Sequence, residues 1–304
     1  MKLIAPITVT NSVLSASNVT EDDYAVWASG TTYSSGTRVI VIGTTHKVYE
    51  SVQSANTGND PTTDDGTWWL EISATNRWKA FDQKLADTVS NSGTITYTLI
   101  PSSLVTGIAF LNINAPQVRV QVFEDVSPNT EIYDVTQSLV DDTVIVDWFT
   151  FFTSDLTIYD TEALFIGLPG YTGYEIDITI GDGTGTPTVG QIVLGKVEEL
   201  GFTTDGTQIG IEDFSTKGRD DFGNAIITER AFADETTFNF SLFSADARRI
   251  KRILSNLRAT PAVYFADEDL IRYGTTVYGF FQDFSIPLST GNLSFANLEI
   301  EGLT

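Results

Sequence analysis

The chain contains no cysteine and a single histidine, His46, among its 304 residues. Disulfides, thiolate metal sites and cysteine nucleophiles are thereby excluded, and folding is indifferent to redox compartment. One imidazole leaves most Ser-His-Asp triads and most histidine-based metal centres without their parts. Long apolar runs are also missing. The N-terminal stretch is interrupted by Thr8, Thr10 and Asn11, so no signal core or membrane span is expected, and the product is expected to be soluble. Positive charge is scarce: 17 basic residues face 40 acidic ones, a net charge of −23. Backbone phosphates and anionic bilayers require clustered Lys and Arg, so neither nucleic acid nor a membrane surface is an expected partner.

Hydrophobic residues make up 41% of the chain, enough to build folded cores rather than a disordered polymer. Length alone suggests two domains, whereas composition separates three zones. Residues 1–79 hold eight acids and five bases, 80–200 seventeen acids and three bases, and 201–304 fifteen acids and nine bases. Trp27, Trp68, Trp69 and Trp78 crowd the first zone, and only Trp148 lies outside it. The expected organisation is an N-terminal strand or arm over 1–21 and modules over 22–79, 80–200 and 201–304.

Most periodic segments alternate with period two or are short runs of β-branched and aromatic residues. The stretches 94–99, 117–122, 174–180, 238–242 and 276–280 are of this kind, separated by turn signals such as Pro128-Asn129. Gly181-Asp182-Gly183-Thr184-Gly185 lies between two such runs and reads as a hairpin tip, since it lacks the ending of a phosphate loop. Asp147-Trp148-Phe149-Thr150-Phe151-Phe152 reads as a core strand.

Helical spacing is confined to one clear place. Ile250, Ile253, Leu254 and Leu257 recur at helical intervals, Ser244 is placed to cap the start, and Pro261 follows the end. The opposite face carries Arg248, Arg249, Lys251, Arg252 and Arg258, which is either a solvated face or a contact with an acidic neighbouring subunit. A shorter helix is expected near 76–83. The fold class is therefore mainly β: a small aromatic-rich β module, a jelly-roll-like β-sandwich, and a C-terminal α+β module with one clear helix.

In the first zone Trp27, Tyr33, Gly36, Val39, Tyr49, Pro61, Trp68 and Trp69 follow one another at a spacing that resembles the small chitin-binding type of carbohydrate-binding module, over residues 22–72. The stretch 52–58 lacks the aromatic pair usual in that family. The resemblance implies glycan stacking on Trp27, Tyr33, Tyr49, Trp68 or Trp69, because pyranose C–H faces lie on flat rings. The same rings are also needed simply to hold so small a module together. Neighbours Trp68 and Trp69 point to opposite faces of a strand, so at most one is expected to be exposed.

Asn76-Arg77-Trp78, followed by Phe81-Asp82, resembles a junction in phage virion proteins that leads into a galactose-binding-like β-sandwich. Such sandwiches bind sugars or calcium, or serve in docking. Asp125, Asp141, Asp142 and Asp182 do not match a calcium-loop spacing, and a solvated acidic face is expected there, with no metal and no cofactor. The third zone resembles tail-tube-related folds. Together the resemblances imply a tailed-phage distal tail or tail-tip (baseplate) protein. Its expected partners are other tail proteins, copies of itself in a ring, and host-surface polysaccharide, with assembly in the host cytoplasm and a final place in the virion. The rival readings are a purely structural connector without sugar binding and, more distantly, a glycan-degrading enzyme, for which no catalytic residues are assigned.

Overall fold

A computed structural model of the chain describes all residues except 125–129, 141–146, 154–158, 172, 220–221, 268–273, 288–290 and 304. The protein is mainly β, with several sheets and one well-formed helix near the C-terminus. Contacts divide it into two compact units. One comprises Met1–Ile7, Val105–Ala109 and Val193–Thr304; the other comprises Thr8–Leu104 and Phe110–Ile192. This division is coarser than the modular one, and residues 1–7 join the C-terminal portion of the chain.

In the C-terminal unit the strand Lys2–Pro6 is paired antiparallel on both edges. One neighbour is residues 195–199 of the strand Thr188–Glu199, and the other is Ala262–Phe265. Beyond Ala262–Phe265 follow Val277–Ser285, Leu293–Gly302 and Phe232–Phe243, all antiparallel. Alternation in Phe232–Phe243 turns Phe238, Phe240 and Leu242 inward, where they join Leu3, Tyr264, Leu298 and Ile300 in one apolar cluster.

The helix Ala247–Asn256 covers that cluster with Ile250 and Leu254, and Leu257 and Ile253 complete the stripe. Ser244 does not cap it. A single 3₁₀ turn, Ser244–Asp246, intervenes, and the Ser244 hydroxyl donates to the Gly291 carbonyl at 2.9 Å instead. The serine is drawn to the adjacent strand end rather than to the helix amides.

The other unit holds a five-stranded antiparallel sheet in the order Glu131–Ser138, Gln117–Phe123, Glu175–Ile180, Ile95–Leu99, Leu14–Ser17. Ile95, Tyr97, Leu99, Val118, Val120, Val122, Ile176, Ile178 and Ile180 are all buried, so the three central strands have one interior face, while Val135 of the edge strand Glu131–Ser138, opposite Val120, is exposed. Glu162–Ile166, residues 110–114 and residues 188–192 form further β structure, with Phe110 edge-on to Phe165 at 5.7 Å. The arrangement is sandwich-like. Residues 22–74 add a small three-stranded sheet, Arg38–Val41, Lys47–Ser51 and Trp69–Ala74, and the pair Thr32–Tyr33 with Asn56–Thr57. A 3₁₀ helix, Asn76–Phe81, stands where the short helix was expected.

Two local expectations are overturned. The glycine run after Ile180 is not a hairpin tip, because Glu175–Ile180 and Thr188–Glu199 belong to different sheets. The run carries the chain between them. Gly181, Gly183 and Gly185 have positive φ, and a Cβ on Gly181 would lie 2.8 Å from the Gly93 carbonyl oxygen. The aromatic run is not a core strand either. Trp148–Thr153 is a short helix in which Trp148, Phe149 and Phe152 are exposed, with Trp148 stacked on Phe152, four residues on, at 6.3 Å. Apolar composition without alternation does not separate strand from helix, and the i,i+4 ring pair favours the helix. Among the described residues, no helix is long and apolar enough to cross a membrane.

At Gly279 the strand Val277–Ser285 has no room for a side chain: a Cβ there would come within 1.9 Å of the Glu301 carbonyl oxygen. Gly279→Ala is therefore expected to lower stability by about 1–3 kcal/mol through forced strand displacement. Urea unfolding would measure it, and an unchanged midpoint would contradict the close approach.

Candidate functional site

The aromatic module was the sharpest candidate in the sequence, and its geometry follows from its size. Its strands are too short to bury aliphatic layers, so rings fill the interior. Tyr33, Val39, Tyr49 and Trp69 form the cluster, and Trp27, Val41 and Trp68 pack against it half-buried. Tyr33 meets Trp69 edge-to-face at 5.2 Å. The Trp69 indole N–H donates to the Asn59 carbonyl at 2.9 Å, and the Tyr33 hydroxyl accepts from the Ala28 amide at 2.8 Å.

The sequence pattern therefore brings its five candidate rings together, but as an interior. Trp69 is 2% exposed, Tyr49 6% and Tyr33 7%, leaving no open ring face on those three for a pyranose to stack upon. Trp27 and Trp68 lie at the margin of the cluster. As alternation requires, the adjacent Trp68 and Trp69 differ, with Trp69 the inward one.

Residues that sequence reasoning passed over hold this arrangement. One Asp64 carboxylate oxygen, Oδ2, accepts from the amides of Gly66, Trp68 and Trp69 at 2.9–3.0 Å, fixing the entry of the tryptophan pair. Asn56 is fully buried, donates to Ser51 Oγ at 3.0 Å and to the Trp68 carbonyl at 3.3 Å, and accepts from Asn59. The Asp-Asp-Gly turn at 64–66 is the one local signal that could have marked the first of these.

The junction after the module is equally well built. Glu21 Oε1 lies 2.7 Å from His46 Nδ1 and accepts the Thr75 hydroxyl at 2.7 Å, and Arg77 approaches the other carboxylate oxygen at 3.5 Å. His46 stacks on Trp78 at 4.4 Å; Trp78 meets Phe81, and Phe81 meets Tyr97 of the sandwich-like part. Tyr97 donates to the Arg77 carbonyl at 2.8 Å. The lone histidine is thus a structural link in an aromatic chain joining the small module to the β-sheet behind it.

Acid clusters give less. Asp125, Asp141 and Asp142 lie outside the described residues. The Asp182 carboxylate accepts from the Thr184 amide and hydroxyl at 2.9 and 2.6 Å, an Asx turn of the glycine run. Among the described residues no group of three or more His, Asp or Glu is placed to hold a metal ion.

Four of the five basic residues lie on the helix Ala247–Asn256, Arg258 falls just past its end, and the five separate into two kinds. Arg249 is engaged within the chain: it donates to the Glu199 carbonyl at 2.9 Å and lies 3.9 Å from Glu198 and 3.6 Å from Asp246. Arg248, Lys251, Arg252 and Arg258 are exposed, and none forms an ion pair with a described residue. Three such cations on one helix and a fourth, Arg258, just past its end are anomalous in a chain of net charge −23.

Two outcomes follow. Trp69→Ala is expected to destabilise the protein by about 3–5 kcal/mol, as loss of a buried ring does; a melt indistinguishable from wild type would place the ring outside the core. At the junction, burial pushes the Asp82 carboxyl up to about 6, against a hydrogen bond from the Lys84 amide that favours the anion. The folded state thus holds this proton more tightly than the unfolded chain, and the stability it contributes below pH 4 is lost as pH rises through 6. Asp82→Asn is expected to equal or exceed wild type at pH 7.5, with that relative gain vanishing by pH 4 in paired denaturation curves. Comparison with protein-family models, curated proteins and solved structures finds no match to this chain.

Proposed function

We propose that the protein is a structural, non-enzymatic subunit of a tailed-phage tail tip or baseplate, assembling with copies of itself in a ring and with other tail proteins. The observation that carries this reading is the unpaired cationic face formed by Arg248, Lys251, Arg252 and Arg258. Elsewhere the bases are largely matched to acids within the chain, as in Arg38–Glu50, Lys47–Glu71, Lys79–Asp87 and Arg119–Asp134. A cationic patch left unmatched in a strongly acidic protein steers encounter with an acidic surface and fixes its register. Copies of this chain, and other acidic tail components, offer such a surface.

The family likeness of the first zone brings a second reading, contact with host-surface polysaccharide. Of the five rings, Trp27 and Trp68 are the two with partial exposure to serve it. The burial of Tyr33, Tyr49 and Trp69 favours the connector reading, in which the small module is a rigid appendage held by its own aromatic core. Weak glycan contact at one module per subunit would gain avidity from a ring.

Mass spectrometry of particles made from the genome that encodes the chain, with antibody labelling of intact particles, tests the assignment. The expected result is stoichiometric presence with label at the tail tip. Absence from purified particles overturns it.

A further inference from the structure

Two surfaces of the C-terminal unit carry charge of opposite sign. The first is the outward face of its sheet. In Phe232–Phe243 and Leu293–Gly302 the residues Phe238, Phe240, Leu298 and Ile300 turn toward the core, so their neighbours turn away from it. Register sets Glu235 opposite Glu301 and, two residues on, Thr237 opposite Glu299. Asp283 of the strand Val277–Ser285 lies on the other side of Glu299. Like charges thus stand directly opposite one another twice, an arrangement that destabilises a bare sheet.

Glu235 and Asp283 are exposed, and Glu299 and Glu301 are half-buried. None of the four forms an ion pair with a described residue. Glu301 accepts from the Gln282 side-chain amide at 2.6 Å and Asp283 from the Phe284 backbone amide at 2.8 Å, neutral donors that leave the charges uncancelled. Further along the same face come apolar side chains. Phe243 lies opposite Leu293, and Ser241 lies between Phe202 and Phe295. These four apolar side chains are 47–64% exposed, with Phe202 edge-on to Phe243 at 6.4 Å. The face is acidic at one end and aromatic at the other, with about 20 Å of strand from Phe295 to Glu301.

The second surface is the helix. Ile250 and Leu254 hold Ala247–Asn256 against the core, which leaves Arg248, Lys251 and Arg252 together on its outer side at i, i+3 and i+4. These three cations span about 6 Å along the axis. The two rows of carboxylates are about 7 Å apart, so the spacings match. Arginine also suits the aromatic end, because a guanidinium is drawn to an exposed ring face as well as to a carboxylate.

Charge selects the occupant. A polyanionic partner would satisfy the helix and be repelled by the sheet face, and a cationic partner would do the reverse. A second copy of this chain satisfies both, since each copy carries one surface of each kind. We infer that the helix Ala247–Asn256 of one copy lies on the outward sheet face of a second, with Arg248, Lys251 and Arg252 over Glu235, Asp283, Glu299 and Glu301, and Arg258 toward Phe295. The two surfaces differ, so the contact is heterologous, runs head to tail, and closes into a ring when the rotation permits. A ten-residue helix is about 15 Å long and roughly 10–12 Å across, and it covers less than the roughly 800 Å² per partner of a standard interface. Each contact is therefore weak and salt-sensitive, and ring closure supplies the avidity. This docking rests on the reading of the chain as an assembly subunit and names the surface that receives its basic helix.

Charge reversal on both surfaces gives the test. One full-length variant carries Arg248→Glu, Lys251→Glu and Arg252→Glu; the other carries Glu235→Lys, Glu299→Lys and Glu301→Lys. Circular dichroism confirms that each folds, and Glu235→Gln, Glu299→Gln and Glu301→Gln replace the lysine set if it does not, with loss of self-association as the readout. In sedimentation velocity the wild type is expected to associate, and each variant alone to associate at least tenfold more weakly. An equimolar mixture of the two charge-reversed variants is expected to recover association, because each offers the other an opposite surface. A sheet-face variant that associates like wild type, a mixture no better than its components, or a wild type that stays monomeric overturns the docking. The subunit reading is decided separately: it stands after any of these results if the chain is found at the tail tip of purified particles, and it fails if the chain is absent from them.

Discussion

Negative charge is the constraint under which the whole structure is built. A surplus of 23 anionic charges repels the chain from itself in the compact state, and apolar burial must overcome it. The few bases are therefore placed where they do most. Arg119 meets Asp134 across neighbouring strands, Lys47 meets Glu71, and Arg77 reaches toward Glu21 at the junction. The first two pairs are exposed and contribute little individually, but each lowers local repulsion on a sheet face, whereas Glu21 is largely buried at the junction, where it also meets His46 and Thr75. Against that pattern the unmatched cations of the C-terminal helix stand out. Their cost in an acidic protein is small, because they are solvated, and their use lies in what they attract.

The second organising feature is how each part solves the problem of its interior. The C-terminal unit has a conventional core of Phe, Leu, Ile and Tyr under a helix, closed by a strand from the beginning of the chain. Residues 22–74 have too few positions for that, and substitute a cluster of rings in which the Trp69 indole N–H and the Tyr33 hydroxyl are held by backbone groups. The features that make the module look like a sugar binder are the features that keep it folded. Its attachment through His46, Trp78, Phe81 and Tyr97 uses ring stacking again, extending one aromatic path from the module into the sheet.

Much of the fold was legible locally. Strict alternation in 117–122 and 174–180 gives strands with one buried face, and the spacing of Ile250, Leu254 and Leu257 gives the helix. What was not legible is non-local. Nothing around Lys2–Pro6 announces that its partners lie near residues 197 and 264, since pairing partners are selected in three dimensions. The glycine run after Ile180 looks the same whether it closes a hairpin or crosses between sheets. Ile209 and Ile211 alternate as a strand with a buried face would, yet both are exposed in the strand Gln208–Asp213. At the candidate site the aromatic residues were found by spacing; Asp64 was marked only by its Asp-Asp-Gly turn, and Asn56 was missed because its role is to hold a buried turn, which leaves no pattern in side-chain type.

The central claim is that the cationic helix face is an assembly surface, and sedimentation velocity at about 0.15 M ionic strength, where charges interact over roughly 8 Å, tests it most directly. Wild type is compared with the triple variant Arg248→Glu, Lys251→Glu, Arg252→Glu across a concentration series. The account predicts concentration-dependent association of the wild type and a monomer for the variant, with both folded. Wild type that remains monomeric throughout, or a variant that associates equally well, would contradict it.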